Sequence, residues 1–313
     1  MRTLQTRSSG QKQTLLKIQE MSKTLSNGIL AVRVEDHGAE LSSIIMNGTE
    51  YLWQADPAFW GRHSPVLFPI VGRVWDNVYR VDGKEYGLSQ HGFARDMDFT
   101  LVSETENEIL FRLTDTPSTL EKYPFRFCLE SGYRLHENKV DVIWKVTNTG
   151  DRTMYFQIGA HPAFYFPDYR PETAERGYFS FGGKTALEYI LITEKGCADT
   201  THRYRLPMDG EYLPLDTHTF DKDALILDNG QVNKVTLCRQ DKTPWLSLSF
   251  NAPVVGLWSP GGKNAPFVCI EPWYGRCDRT GFTGDIRDKD CINALGPGMK
   301  FESVYTIEIH DRK

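Results

Sequence analysis

The chain has 313 residues, of which 40% are hydrophobic and 25% charged, a balance that excludes a disordered or fibrous protein and leaves ample material for a core. A formal net charge of −5, with no dominant basic stripe, argues against nucleic acid or an anionic membrane surface as partner, and no apolar run approaches the ~20 residues needed to cross a bilayer. The six cysteines (Cys128, Cys197, Cys238, Cys269, Cys277, Cys291) form no C-x-x-C pair and have no histidine at ligand spacing. They read as free thiols of a reducing compartment, so the expected location is cytoplasmic and no metal site is expected.

In chain order, residues 1–20 come first. They carry Arg2, Arg7, Lys12 and Lys17 with no acid before Glu20, and they lack both strand alternation and the apolar stretch of a secretory signal. The expectation is a basic leader, disordered or an over-extended start, ahead of one domain over residues 21–313. From Ile29 onward the pattern is β. Ile29–Val34 and Leu41–Met46 alternate as strands, and Asn47-Gly48 predicts a tight hairpin turn into Tyr51-Leu52-Trp53. The same Asn47-Gly48-Thr49 matches a glycosylation triplet, but the turn accounts for it.

Asp56-Pro57 predicts a helical turn or two over Asp56–Trp60, with an acid as cap and proline at the first helical position. A second hairpin follows, Tyr79–Val81 and Lys84–Tyr86 about Asp82-Gly83. Strands are predicted at Ile109–Leu113, Phe125–Glu130 and Asp141–Val146, with a turn at His136-Glu137-Asn138 and a short helix at Ser118–Tyr123 stopped by Pro124. No long segment of 3.6 period and no linker interrupts the series. The fold class is therefore all-β, a large antiparallel β-sandwich in one continuous domain. A boundary near Pro171–Thr173 has only local polarity to recommend it.

Three short segments each hold one titratable side chain in an apolar frame punctuated by glycine or proline. In Gln90-His91-Gly92-Phe93-Ala94-Arg95, the glycine permits close backbone approach to a ligand, Phe93 offers a ring for the C–H face of a sugar, and Arg95 supplies a fork of donors. The competing reading is a histidine satisfied by backbone. In Gly159-Ala160-His161-Pro162-Ala163-Phe164, Pro162 biases His161 toward extended torsions, which also suits a plain strand-end histidine. Glu271, between the apolar run Phe267–Ile270 and Pro272-Trp273, is either a base with its pKa raised by burial or half of a salt bridge to Arg73 or Arg276. Leu67–Gly72 ends in Arg73. Asp223, ahead of Ala224–Leu227, is a candidate acceptor for sugar hydroxyls or a simple turn acid. No cofactor motif accompanies these segments.

In this order, Phe68–Arg73, Gln90–Arg95, Gly159–Phe164, Asp223–Leu227 and Cys269-Ile270-Glu271-Pro272-Trp273-Tyr274-Gly275 make the chain resemble the aldose 1-epimerase (galactose mutarotase-like) superfamily, most closely its LacX-like branch. The likeness runs from Leu25 to Ile309. It implies a supersandwich with the sugar in a cleft across one face. It also implies roles: Glu271 as general base on the anomeric hydroxyl, His161 as the acid at the ring oxygen, and His91 as the second histidine. Arg73 and Asp223 match positions that hold hydroxyls, and Gln90 and Phe93 fall within the same substrate-binding segments. The implied activity is the interconversion of α and β anomers of a hexose or hexose 6-phosphate without a cofactor. Arg73 and Arg95 are candidates for the phosphate.

That chemistry asks for one base and one acid, which a carboxylate and an imidazole supply. A glycosidase would want two carboxyls across the scissile bond, and Asp223 alone keeps that possibility open. A non-catalytic sugar-binding or sugar-sensing protein of the same fold is the main alternative. The expected partner is a small-molecule sugar or sugar phosphate, with monomer and dimer both compatible with the sequence.

Overall fold

Alternating side chains assemble two large antiparallel sheets in the computed structural model, which describes residues 22–310. The expected leader, residues 1–20, lies outside the described residues. The larger sheet has nine strands. In spatial order they are Tyr212–Asp216, Glu175–Ser180, Lys234–Cys238, Pro244–Ser249, Lys300–Ile309, Lys139–Asn148, Phe127–His136, Glu108–Thr114 and Thr100–Glu104. The second sheet runs Ala198–Arg205, Glu188–Ile192, Leu225–Leu227, Val254–Trp258, Phe267–Tyr274, Ile158–Ala160 and Val66–Leu67, with Ala163–Tyr165 also paired to Phe267–Tyr274. A four-stranded sheet of Ser22–Ser26, Leu30–Glu35, Leu41–Met46 and Thr49–Glu50 flanks them. Among the described residues no helix is long and apolar enough to cross a membrane.

The local predictions meet their structures closely. Asn47 and Gly48 (φ 51° and 76°) and Asp82 and Gly83 (φ 50° and 79°) all take positive φ, as a two-residue hairpin of type I′ requires. The first hairpin closes on Thr49–Glu50, however, and not on the predicted Tyr51–Trp53. Tyr51 N–H still donates to Ile44 O at 2.9 Å, and from there the chain turns to bond Ala163–Tyr165: Trp53 N–H donates to Ala163 O at 2.9 Å and Tyr165 N–H to Tyr51 O at 3.0 Å. The predicted turn after Asp56 is a single one, with the N–H groups of Phe59 and Trp60 both bonded to Asp56 O at 3.0 Å. The second predicted helix spans Pro117–Lys122, closed at its start by a capping box between Thr116 and Thr119.

The main core lies on one face of the second sheet. Along Phe267–Tyr274, Val268 and Ile270 enter that core, while Phe267, Cys269 and Trp273 belong to smaller buried clusters on the opposite face. Leu225 and Leu227 likewise face the main core and Ile226 the other side. Both faces are covered, which is why these strands read as unbroken apolar runs and not as alternation. Glu271 sits on the second face between two apolar clusters, and the cavity opens there.

Candidate active site

Strand register brings the two central groups together. Gly159 pairs with Trp273, and Ala163 pairs with Cys269, in one continuous antiparallel register. Between them the ladder breaks at His161-Pro162, where proline has no N–H to give. The unbroken register makes His161 the residue opposite Glu271. Its Nε2 lies 3.3 Å from Glu271 Oε2, and both side chains are buried. The two are close but not aligned for a hydrogen bond, so Glu271 Oε2 remains without a hydrogen-bond partner; His161 Nδ1, on the other side of the ring, has none either. Neither Arg73 nor Arg276 is the partner of Glu271. Arg276 bonds Asp290 at 2.6 Å, and Arg73 makes a long bond of 3.3 Å to Asn77 Oδ1.

On its other side Glu271 faces Gly256, which pairs with it across the strand Val254–Trp258. A side chain at Gly256 would collide with the Trp273 indole, since an added Cβ falls 2.5 Å from Cη2 and Cζ2. The indole therefore lies flat over that strand, its Nε1–H donating to Ala160 O at 3.2 Å. Trp60 stacks on the His161 imidazole at 4.6 Å with planes 26° apart, while Trp258 meets it edge-on at 5.5 Å. Two indoles thus fix the plane of the imidazole.

His91 closes the third side, 5.5 Å from His161 and nearly perpendicular to it. Its backbone takes φ +68°, an unusual conformation for a branched-free but bulky residue, held by reciprocal bonds to Gly72. His91 N–H donates to Gly72 O at 2.8 Å, and Gly72 N–H donates to His91 Nδ1 at 3.0 Å. With Nδ1 an acceptor, the neutral ring carries its hydrogen on Nε2, near the Gln90 side-chain amide at 3.3 Å.

The cavity enclosed by these groups measures about 410 Å³ and is lined also by Arg62, Arg73, Arg95 and Asp223. Of the sequence-predicted residues, His161, Glu271, His91, Arg73, Arg95, Asp223 and Gln90 all line it. Phe93 does not. Its ring packs into the core against Phe68, Tyr123 and Phe127, because the chain turns into a short 3-10 segment at Ala94–Asp96 and points Phe93 inward. The aromatic walls are Trp60, Trp258 and Trp273 instead. Trp60 and Trp258, together with Arg62, escape sequence reasoning. Gly256, a glycine inside a strand pattern, signals the close approach of Trp273 but of none of these three.

Burial dominates the electrostatics. It pushes the Glu271 carboxyl well above its usual range, with Asp223 adding to the rise. Burial also drives His161 down to about 3, assisted by Arg95 and Arg62, and pushes His91 well down, assisted by His161 and Arg95. Arg95, brought down to about 10 by burial and by Arg62, still carries its charge at neutrality. It donates to Gln90 O at 2.8 Å and lies 3.8 Å from Asp96, which Arg62 holds at 2.7 Å. Burial thus disfavours the charged form of both groups, holding the proton on the carboxyl above its usual range and keeping it off the imidazole below its usual one. Such a pair can give a proton from one member and take one at the other. Among the described residues, His161, Cys269 and Glu271 are the donors gathered closely enough to hold a metal.

A family model described as aldose 1-epimerase matches residues 21–282. The chain is 32% identical over 298 residues to the chromosomal LacX protein of Lactococcus lactis, covering 92% of this chain and 99% of that one. Among solved structures it is similar to a galactose mutarotase related enzyme from Lactobacillus acidophilus, with TM-score 0.87 and 38% identity over 93% of this chain and 98% of that one. A galactose mutarotase-like protein from Lactobacillus casei superposes with TM-score 0.85 at 30% identity, covering 92% of this chain and 100% of the other.

Proposed function

This chain belongs to the aldose 1-epimerase family, and from that premise we propose that it interconverts the α and β anomers of a hexose by acid/base ring opening. The observation that carries the reading is the His161–Glu271 apposition at 3.3 Å, a buried imidazole beside a buried carboxyl at the wall of a sugar-sized cavity. The Glu271 carboxylate takes the proton of the anomeric hydroxyl. The C1–O5 bond breaks as the carbonyl at C1 forms, and the proton on His161 passes to O5. Rotation about C1–C2 presents the other carbonyl face. O5 then attacks C1 and returns its proton to His161, while Glu271 gives its own proton to O1. Nothing is gained or lost over the cycle.

Each half-reaction moves one proton across the pair. With the carboxyl protonated and the imidazole neutral, the pair has the charge distribution suited to the open-chain aldehyde. A closed sugar starts from the other tautomer. Hydroxyls donating to Glu271 favour that carboxylate form, and the proton has only 3.3 Å to travel to His161. In this reading the Nε2–H of His91 donates near the ring oxygen. Arg73, Gln90 and Asp223 hold hydroxyls, and the indoles of Trp60 and Trp258 receive the C–H faces.

Three guanidinium groups, Arg62, Arg73 and Arg95, line the cavity against two carboxyls, Glu271 and Asp223. This favours a hexose 6-phosphate over the free sugar, since guanidinium forks match phosphate oxygens. Anomer-exchange NMR on glucose, galactose and their 6-phosphates tests both levels of the proposal. Exchange faster with the phosphates supports the full reading, and exchange with free sugars alone removes the phosphate. Binding without any acceleration over buffer would make the protein a sugar binder and end the enzymatic reading.

A further inference from the structure

Cys269 shares a strand face with Glu271, two residues away, and the mechanism above gives it no task. Its side chain lies fully buried beneath the cavity floor among Trp53, Ala163 and Phe267. One ligand atom each from His161, Cys269 and Glu271 lie within 4.8 Å of one another. We propose that these three side chains form a binding site for a soft divalent cation, foremost Zn²⁺, and that an ion seated there switches the site off. Binding itself is independent of the proposed activity; only the switching half rests on it.

The donor set selects the metal. One thiolate, one imidazole and one carboxylate suit zinc, whose bonds of ~2.0–2.3 Å place tetrahedral ligands roughly 3.3–3.8 Å apart, so the three atoms need draw in by about an ångström. Magnesium and calcium require many more oxygens than the single carboxylate offers. The fourth position of a tetrahedral ion faces the cavity, where water or a sugar hydroxyl completes it.

The site is also short of partners in a way that a cation would answer. Glu271 Oε2 is buried with no hydrogen-bond partner, and an unsatisfied buried polar atom is costly. The three ligands are held by strand pairing: Cys269 and Glu271 on Phe267–Tyr274, and His161 in the register gap opposite them. The guanidinium groups of Arg62, Arg73 and Arg95 oppose a bare cation nearby. A thiolate and a carboxylate cancel the double charge of the ion, so the cationic rim faces a neutral complex. An ion so bound occupies both members of the proton-transfer pair and leaves no proton to move.

Equilibrium dialysis of the full chain with Zn²⁺, and visible spectroscopy with Co²⁺, test the site without any sugar. The expected result is one zinc per chain, indifferent to Mg²⁺ and unchanged in Cys291→Ser, which removes the exposed thiol. The Co²⁺ form should show a thiolate-to-metal charge-transfer band. Cys269→Ser and Cys269→Ala should each lose that band and at least roughly tenfold in zinc affinity, while keeping metal-free anomer exchange. No stoichiometric zinc uptake, or equal uptake by both Cys269 variants, overturns the site. An epimerase that keeps its rate at saturating zinc overturns the switch alone. Zinc bound by a protein with no exchange activity leaves the site standing and removes the function proposed above.

Discussion

Glu271 and His161 are each pushed by burial toward the neutral form, and this has consequences that ordinary carboxylates and histidines do not show. Burial takes His161 down to about 3 and holds the Glu271 carboxyl well above its usual range, so neither group titrates where its free counterpart does. The pH profile of kcat/KM should therefore lack the acid limb near 6.5 that a free histidine produces. A limb there would show that His161 titrates normally and that the pair is not coupled. Glu271→Gln keeps the shape and removes the transferable proton, so kcat should fall by ~10²–10⁴-fold with sugar binding retained, as titration of the ligand would show.

The same substitution reports on stability with a definite sign. Above pH 4.5 the unfolded carboxyl loses its proton while the buried one keeps it, so the native state binds more protons and stability falls as pH rises. Glu271→Gln removes that slope. Its Tm should exceed the wild-type value by a margin that widens with rising pH and closes toward 4.5. At this scale the sequence was a good guide to which segments line the cavity, because glycine, proline and aromatic neighbours frame them. It was a poor guide to orientation. Phe93 sits in the expected segment, yet its ring belongs to the core, since one short 3-10 turn decides which way it points.

At the scale of the element, strands and hairpins are legible because their signals are local. Positive φ at Asn47-Gly48 and Asp82-Gly83 follows from the residues themselves. The apposition of His161 and Glu271 is not local. It depends on the pairing of segments 110 residues apart, and a slip by one residue would turn Glu271 to the other face of its sheet. The bare surface at Gly256 is part of the same construction, since it lets Trp273 lie across the neighbouring strand. Gly256→Ala should cost about 1–3 kcal/mol by overpacking and displace the indole from beside Glu271. Urea unfolding measures the first effect, and tryptophan fluorescence with KM for the sugar measures the second. Unchanged values of all three would mean that the indole has room that the 2.5 Å approach denies.

Across the whole molecule, a net charge of −5 conceals a cavity walled by three guanidinium groups, because composition averages over surfaces that folding separates. The rim is held by a feature that no sequence motif announced. Lys289 Nζ lies 2.6 Å from Asp278 Oδ1, with both side chains almost wholly buried. Asp278 Oδ2 accepts the Trp75 N–H at 2.8 Å, its backbone N–H donates to Arg73 O at 2.9 Å, and its carbonyl accepts from Ala198 N–H at 2.8 Å. One ion pair thereby fastens the segment bearing Arg73 to the segment that follows Gly196; the two already touch, since a Cβ at Gly196 would fall 2.5 Å from Arg73 Cδ. Lys289→Met leaves a buried carboxylate without its counter-ion, and removal of one partner from such a pair costs ~3–5 kcal/mol. The urea midpoint should drop with an unchanged m value, and the drop should be as large in high salt as in low, since a buried pair is little screened. Arg73 loses its support at the same stroke, so KM for a hexose 6-phosphate should rise more than KM for the free sugar. If both rise equally, or if the stability loss disappears in salt, Lys289 is acting as a surface charge and the rim is held by something else.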